Sequence, residues 1–244
     1  MMETRMYDEK EALALVRQDG CALKYIEEQT DELCLAAVKE NGLALKYVKE
    51  QTPEICLAAV KDSPNVLKFV KNQSDEICEA AVKRDGYALR YVENQTEEIC
   101  LSAVIENPWA LQCVKTQTEE ICIAAVKRDG LTLVYVHNQT PLICANAVAN
   151  DGRALKYVKD QTEEICTTAV TQNGLALQLV KQQTAEICMC AVLQNSEALQ
   201  FVKEQTAELC KVAIKRAPWT AKYCNPDILL AALEEFTANK NLED

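Results

Sequence analysis

The chain has 244 residues, 49% of them hydrophobic, enough to bury a sizeable core, while only 5% are aromatic and 6 are glycine, a balance that disfavours all-β folds. The formal net charge is −11, but residues 1–28 carry −3, residues 227–244 carry −4, and the long stretch 29–226 only −4. A body so near balance is a poor phosphate binder and an equally poor mimic of DNA, which weighs against nucleic acid as a partner. The start, MMETRMYDEKEALALV, lacks the apolar stretch of a secretory signal, and no run of 18 apolar residues occurs, so no membrane span is expected.

The chain is organised by one repeating stretch. Gln-Thr recurs at 29, 51, 95, 117, 139, 161, 183 and 205, with Gln-Ser at 73, always 22 residues apart. Nine cysteines, Cys34 through Cys56, Cys78, Cys100, Cys122, Cys144, Cys166 and Cys188 to Cys210, keep the same step. A strict period of this size marks a stacked-repeat architecture. In chain order, residues 1–6 read as a leader and 7–28 as an N-terminal capping repeat, with Asp8 where Thr usually stands, Ala12 for Cys and Leu15 for Ala. Nine tandem repeats fill 29–226, the last one worn to WTAKYC in its second half. Asn225-Pro226-Asp227-Ile228 then restarts the pattern early, and 227–244 are expected to form a C-terminal capping helix, ending near Leu233, and a tail. Atypical ends suit a solenoid, whose terminal repeats show water a face that internal ones bury.

Each repeat reads as two short helices of eight to ten residues. The first starts after a capping Thr, with acids such as Glu97 and Glu98 on the positive end of its dipole. Pro53 and Pro141 fall directly after the cap, where proline is tolerated. Ile99, Cys100, Ala103 and Val104 fall on one helical face. An Asn-Gly, Asp-Gly or Xaa-Pro turn follows, with glycine expected in the left-handed conformation of a helix end. The second helix carries Ala44, Leu45, Tyr47 and Val48, and Lys49 near its end complements the dipole. Helices this short are marginal alone, so the unit needs neighbours. An all-α solenoid of about ten 22-residue helix-turn-helix repeats is expected. An alanine row from Ala37 to Ala213 implies close helix approach.

The cysteine row sits beside Ile or Leu on the buried face, too far apart along a helix stack to pair and not clustered as zinc requires. It reads as small core filler, implying a reducing compartment and a cytoplasmic location. The single histidine, His137, stands where other repeats have Lys49, Lys71 or Lys159, and reads as a surface residue. The row Glu32 to Glu208, broken by Leu142, is explained by helix-start electrostatics. No glycine-rich phosphate loop appears. No catalytic, cofactor-binding or metal residue is assigned, and the chain is not expected to be an enzyme. The Gln row reads as structural, bonding helix-end carbonyls or its own neighbours.

The candidate partner-binding positions are Leu43, Tyr87, Trp109, Leu131, Leu175 and Trp219, at one place in the second helix, where Asn65, Arg153 and Glu197 also stand. Variation at a fixed place is how a solenoid surface acquires specificity, and exposed aromatics are common interface anchors. Each is paired four residues on with Tyr47, Tyr91, Cys113, Tyr135, Leu179 or Tyr223, which read as core.

The consensus QTxEICxAAVKxNGxALKYVKx closely resembles the repeat family catalogued as domain of unknown function 4116, found in bacteria, phages, amoebae and large DNA viruses. The resemblance spans about 7 to 233 and departs in the first unit and after Pro218. It implies a helical-repeat array. That family has no established activity, so it carries no site residues over.

Two functions are expected to compete. One is a non-catalytic scaffold that binds a protein or peptide along one helix face. The other is a sequestering protein, viral or phage-borne, that holds a nucleotide or signal molecule against basic residues such as Lys46, Lys68, Arg90 and Lys156. The open ends of the array could also stack between chains.

Overall fold

A computed structural model describes residues 7–230. The leader, the end of the capping half unit at Leu233 and the tail lie outside the described residues. Among the described residues, ten α-helices alternate with ten six-residue 3-10 helices, a further helical turn covers 226–230, and no strand occurs. One repeat shows the plan: α-helix Asp31–Glu40, the cap Asn41, 3-10 helix Gly42–Tyr47, and an extended link over 48–52. The chain divides between Ala124 and Ala125 into two compact units, the division falling inside the helix Glu119–Arg128. Within each unit, α-helices pack on the α-helices of neighbouring repeats and 3-10 helices on 3-10 helices. The fold is an all-α solenoid in which, within each unit, repeats touch their neighbours.

The α-helices start as their caps dictate. The Thr52 hydroxyl accepts the amide of Ile55 at 3.4 Å, and Ser74 does the same for Ile77. Asp8, the departure in the first unit, closes a capping box with Glu11. Ile55, Cys56, Ala59 and Val60 are buried on the inner face.

The second helix differs from the sequence expectation. It is a 3-10 helix, with Ala44 N–H bonded to Asn41 C=O and Val48 N–H to Leu45 C=O. Its buried set, Ala44, Leu45 and Val48, holds one pair three apart and one pair four apart, so a period of three also serves the core. An α-helical period would direct Lys49 toward the core with Leu45.

The glycine at its start also has a different reason. No residue among those described has positive φ. At Gly42 a Cβ would instead lie 2.7 Å from the Ala59 carbonyl oxygen of the next repeat, so glycine is there for close backbone approach. The buried alanine row supplies that carbonyl. The Gly42 amide donates to Asp62 Oδ2 at 2.8 Å, twenty residues on, and Gly130, Gly152 and Gly174 donate likewise to Asn150, Gln172 and Gln194. Glu40 and Glu106 hold that acceptor place after Gly20 and Gly86. Where proline or serine replaces glycine, at Pro64, Pro108 and Ser196, the residue twenty on is Arg84, Arg128 and Arg216, none of which can accept.

The half-buried glutamine joins successive repeats. Gln51 Nε2 donates to Leu45 C=O at 3.5 Å in the preceding repeat and to Phe69 C=O at 2.9 Å in its own. Its Oε1 accepts the Lys71 amide at 2.9 Å and the Cys56 thiol at 3.8 Å. Gln29, Gln73, Gln95, Gln161, Gln183 and Gln205 repeat the pattern. Where a lysine stands in the link it adds a second tie: Lys71 Nζ donates to Lys49 C=O at 2.8 Å, and Lys203 Nζ to Lys181 C=O at 2.9 Å.

Two stability outcomes follow from this packing. Ala103 is fully buried, so Ala103→Leu should overpack the stack and cost about 1–3 kcal/mol in chemical denaturation; an unchanged midpoint would contradict the close approach. Gln51→Ala strands the Phe69 carbonyl and Lys71 amide and should cost about 2–4 kcal/mol, against about 1 kcal/mol for Thr52→Ala.

Candidate interaction surface

The second residue of most 3-10 helices is fixed by the cap before it, while Ser63 and Ala217 make no such bond ahead of Asn65 and Trp219. Asn107 Oδ1 accepts the Trp109 amide at 3.0 Å, and Asp85 Oδ1 accepts that of Tyr87 at 2.9 Å. The first unit carries Cys21, Leu43, Asn65, Tyr87 and Trp109 at this place, and the second Leu131, Arg153, Leu175, Glu197 and Trp219. Leu43 is 43% exposed and Trp219 61% exposed, while Tyr87, Trp109, Leu131 and Leu175 are half-buried.

The six candidates do not form one patch. Tyr87 and Trp109 lie on adjacent 3-10 helices, and Gln112 Nε2 reaches both, donating to the Trp109 carbonyl at 3.0 Å and the Tyr87 hydroxyl at 3.5 Å. Leu43 is separated from them by the repeat of Asn65. In the second unit, Arg153 and Glu197 alternate with Leu131, Leu175 and Trp219.

The residues four further on are half-buried rather than core: Tyr47, Tyr91, Cys113, Tyr135, Leu179 and Tyr223 all keep part of their surface in water. The three-residue period is the cause, because it aligns i with i+3 and turns i+4 toward the rim. Arg90 accordingly stands over the Tyr87 ring at 5.2 Å. The aromatic row is covered by cations from its own repeats: Lys24 over Tyr25 and Lys46 over Tyr47, both at 4.6 Å, and Lys68 over Phe69 at 5.0 Å. Lys156 does the same over Tyr157 in the second unit.

Apolar residues at other places in the repeat were not singled out by sequence reasoning. Leu35, Leu57 and Leu101 lie half-buried on the outer side of the α-helices, and Ile105 and Leu142 are each 54% exposed. The signal was available: Ile105 and Leu142 interrupt rows otherwise held by Lys39, Lys61 and Lys83 and by glutamates.

The nine periodic cysteines are buried free thiols. Burial pushes Cys78 and Cys100 up to about 11, and Cys210, which is also hydrogen-bonded to the Cys224 thiol, up to about 12. His137 is exposed, and its carbonyl accepts Lys159 Nζ at 3.1 Å. Among the described residues, no group of three or more histidine, cysteine or carboxylate side chains is placed to hold a metal ion, and no helix is long and apolar enough to cross a membrane.

Alkylation of the native protein near neutral pH should therefore modify only the half-buried Cys21, Cys113 and Cys190, with the buried thiols reacting after denaturation, as read by intact mass. The raised thiols also set a direction with pH. An unfolded thiol ionises near 9.0 and the folded ones near 11. Stability present below pH about 9 should thus be lost as pH rises through about 11, measured by denaturant titration.

The family model described as "Domain of unknown function (DUF4116)" matches residues 30–74 and again 52–96, one 22-residue step apart. Neither a curated protein nor a solved structure matches the chain. Residues 30–96 carry the repeat of that family, and their glutamine, cysteine and alanine positions recur at the same step through Gln205, Cys210 and Ala213.

Proposed function

We propose that the chain is a non-catalytic cytoplasmic scaffold that holds a protein or peptide partner across its 3-10 helices. One observation carries this reading. From repeat to repeat the buried set stays almost constant, with Ala59, Ala81 and Ala103 or Leu45, Leu67 and Leu89 all fully buried, while the neighbouring surface position runs through Leu43, Asn65, Tyr87 and Trp109. A constant interior holds the backbone of each 3-10 helix in place, so the variable side chains are presented without a large ordering cost on binding. Tyr87 and Trp109, adjacent and tied by Gln112, form the anchor, since buried aromatics dominate interface energetics.

A displayed peptide library selected on the immobilised protein should enrich sequences that lose binding when Tyr87, Trp109 and Leu131 are replaced together by alanine. The expected loss is about 2 kcal/mol or more, roughly thirtyfold in affinity. Circular dichroism melting of the variant checks that the fold persists. Equal enrichment on both proteins would count against the scaffold.

A further inference from the structure

Charge is sorted between the two kinds of helix in the first unit. Its 3-10 segments GCALKY, GLALKY, PNVLKF, GYALRY and PWALQC contain four cations, Lys24, Lys46, Lys68 and Arg90, and no carboxylate. In a chain of net charge −11 this is a segregated positive stripe. The four cations are exposed and stand at the fifth residue of successive 3-10 helices, one per repeat. None is in an ion pair: the pairs among the described residues are Lys83 with Glu79 and Arg153 with Asp151. The carboxylates nearest in sequence to Lys24, Lys46 and Arg90 are Glu27, Glu50 and Glu93 in the exposed links that follow, and they pair with none of the four, while Asp19 and Asp85 accept the amides of Cys21 and Tyr87 as caps. The second unit lacks such a stripe, because Val134, Gln178 and Gln200 hold the fifth place between and beside Lys156 and Lys222, and Glu197 brings the opposite charge.

We propose that this stripe holds an acidic peptide in extended, polyproline-II conformation, with a carboxylate at every third residue. The proposal rests on the scaffold reading and names the chemistry of its partner. The spacing selects this conformation. Packed helices lie about 8–10 Å apart, so cations borne one per repeat recur at about that distance. A polyproline-II chain has three residues per turn and rises about 3.1 Å per residue, placing every third side chain on one side about 9 Å apart. Carboxylates at that step meet Lys24, Lys46, Lys68 and Arg90 in turn, and the residues between them face Leu43, Asn65 and Tyr87. Single-stranded nucleic acid is a poorer fit, because it binds by stacking bases on open rings. Here Lys24, Lys46 and Lys68 already cover the faces of Tyr25, Tyr47 and Phe69.

The test is fluorescence anisotropy with a labelled peptide of four Glu-Pro-Ala triplets, beside a peptide of the same composition with its glutamates contiguous and a thymidine oligonucleotide of the same length. The triplet peptide should bind best and weaken as salt rises. Lys46→Glu with Lys68→Glu should weaken it about tenfold or more, and Lys46→Gln with Lys68→Gln by less, with melting curves unchanged. Equal or tighter binding of the contiguous peptide or the oligonucleotide, or indifference to the charge reversal, would overturn the proposal. If the triplet peptide fails while library peptides still require Tyr87 and Trp109, only the acidic partner is withdrawn. If those fail as well, the scaffold reading goes with it.

Discussion

Each step of the stack passes through one primary amide. A 22-residue unit of one α-helix and one 3-10 helix has too little interior to stand alone, and its extended link leaves backbone groups that neither helix can satisfy. Gln51 takes up a carbonyl from the preceding repeat and a carbonyl, an amide and the Cys56 thiol from its own. Since its donors and acceptors are divided between two repeats, the amide is saturated only when a neighbour is in place. Cohesion and polar satisfaction are therefore one event, and a repeat at an end is left with unfilled demands. In residues 7–28 Tyr7 stands in the glutamine place and Ala12 stands where the thiol would be.

The thiol has a physical role in this arrangement. Cysteine at this place is small enough for the helix contact and apolar enough for the core, and its weak S–H group reaches the glutamine oxygen at 3.6–3.8 Å in successive repeats. Valine or alanine would fill the space without that contact. The row then reads as one packing choice repeated, and not as stored redox capacity.

Much of the fold is legible in the chain itself. The 22-residue step, the Thr caps and the buried Ile-Cys and Ala-Val pairs are written directly in residue types. The 3-10 helix is less legible, because Ala44 and Val48 are four apart while Leu45 and Val48 are three apart, and both periods fit six residues. Both pairs are buried, and the bonds from Ala44 N–H to Asn41 C=O and from Val48 N–H to Leu45 C=O decide between them. The same ambiguity misplaced Tyr47 and Tyr91, half-buried at the rim though read as core. The glycine was legible as a turn residue but not for its reason, which lies in the Ala59 carbonyl, seventeen residues away in sequence. Of the surface, the variable row from Leu43 to Trp219 is visible as a break in the repeat. The sorting of charge between helix types becomes visible only once those helices are known to form separate rows.

The match between the start of each 3-10 helix and the residue twenty positions later sets a grammar for rearrangement. A repeat whose α-helix ends in Asp62, Asn150 or Gln194 answers a glycine before it, whereas one with Arg84 or Arg216 in that place follows proline or serine. Moving the Arg84 repeat behind Gly152 would set a guanidinium against an amide N–H, donor facing donor. The repeats look alike but are not freely permutable. Duplication, deletion or swapping is silent only when the unit inserted suits the neighbour it follows, so splice points in a shortened or lengthened array are dictated by pairs of adjacent repeats and not by any repeat alone.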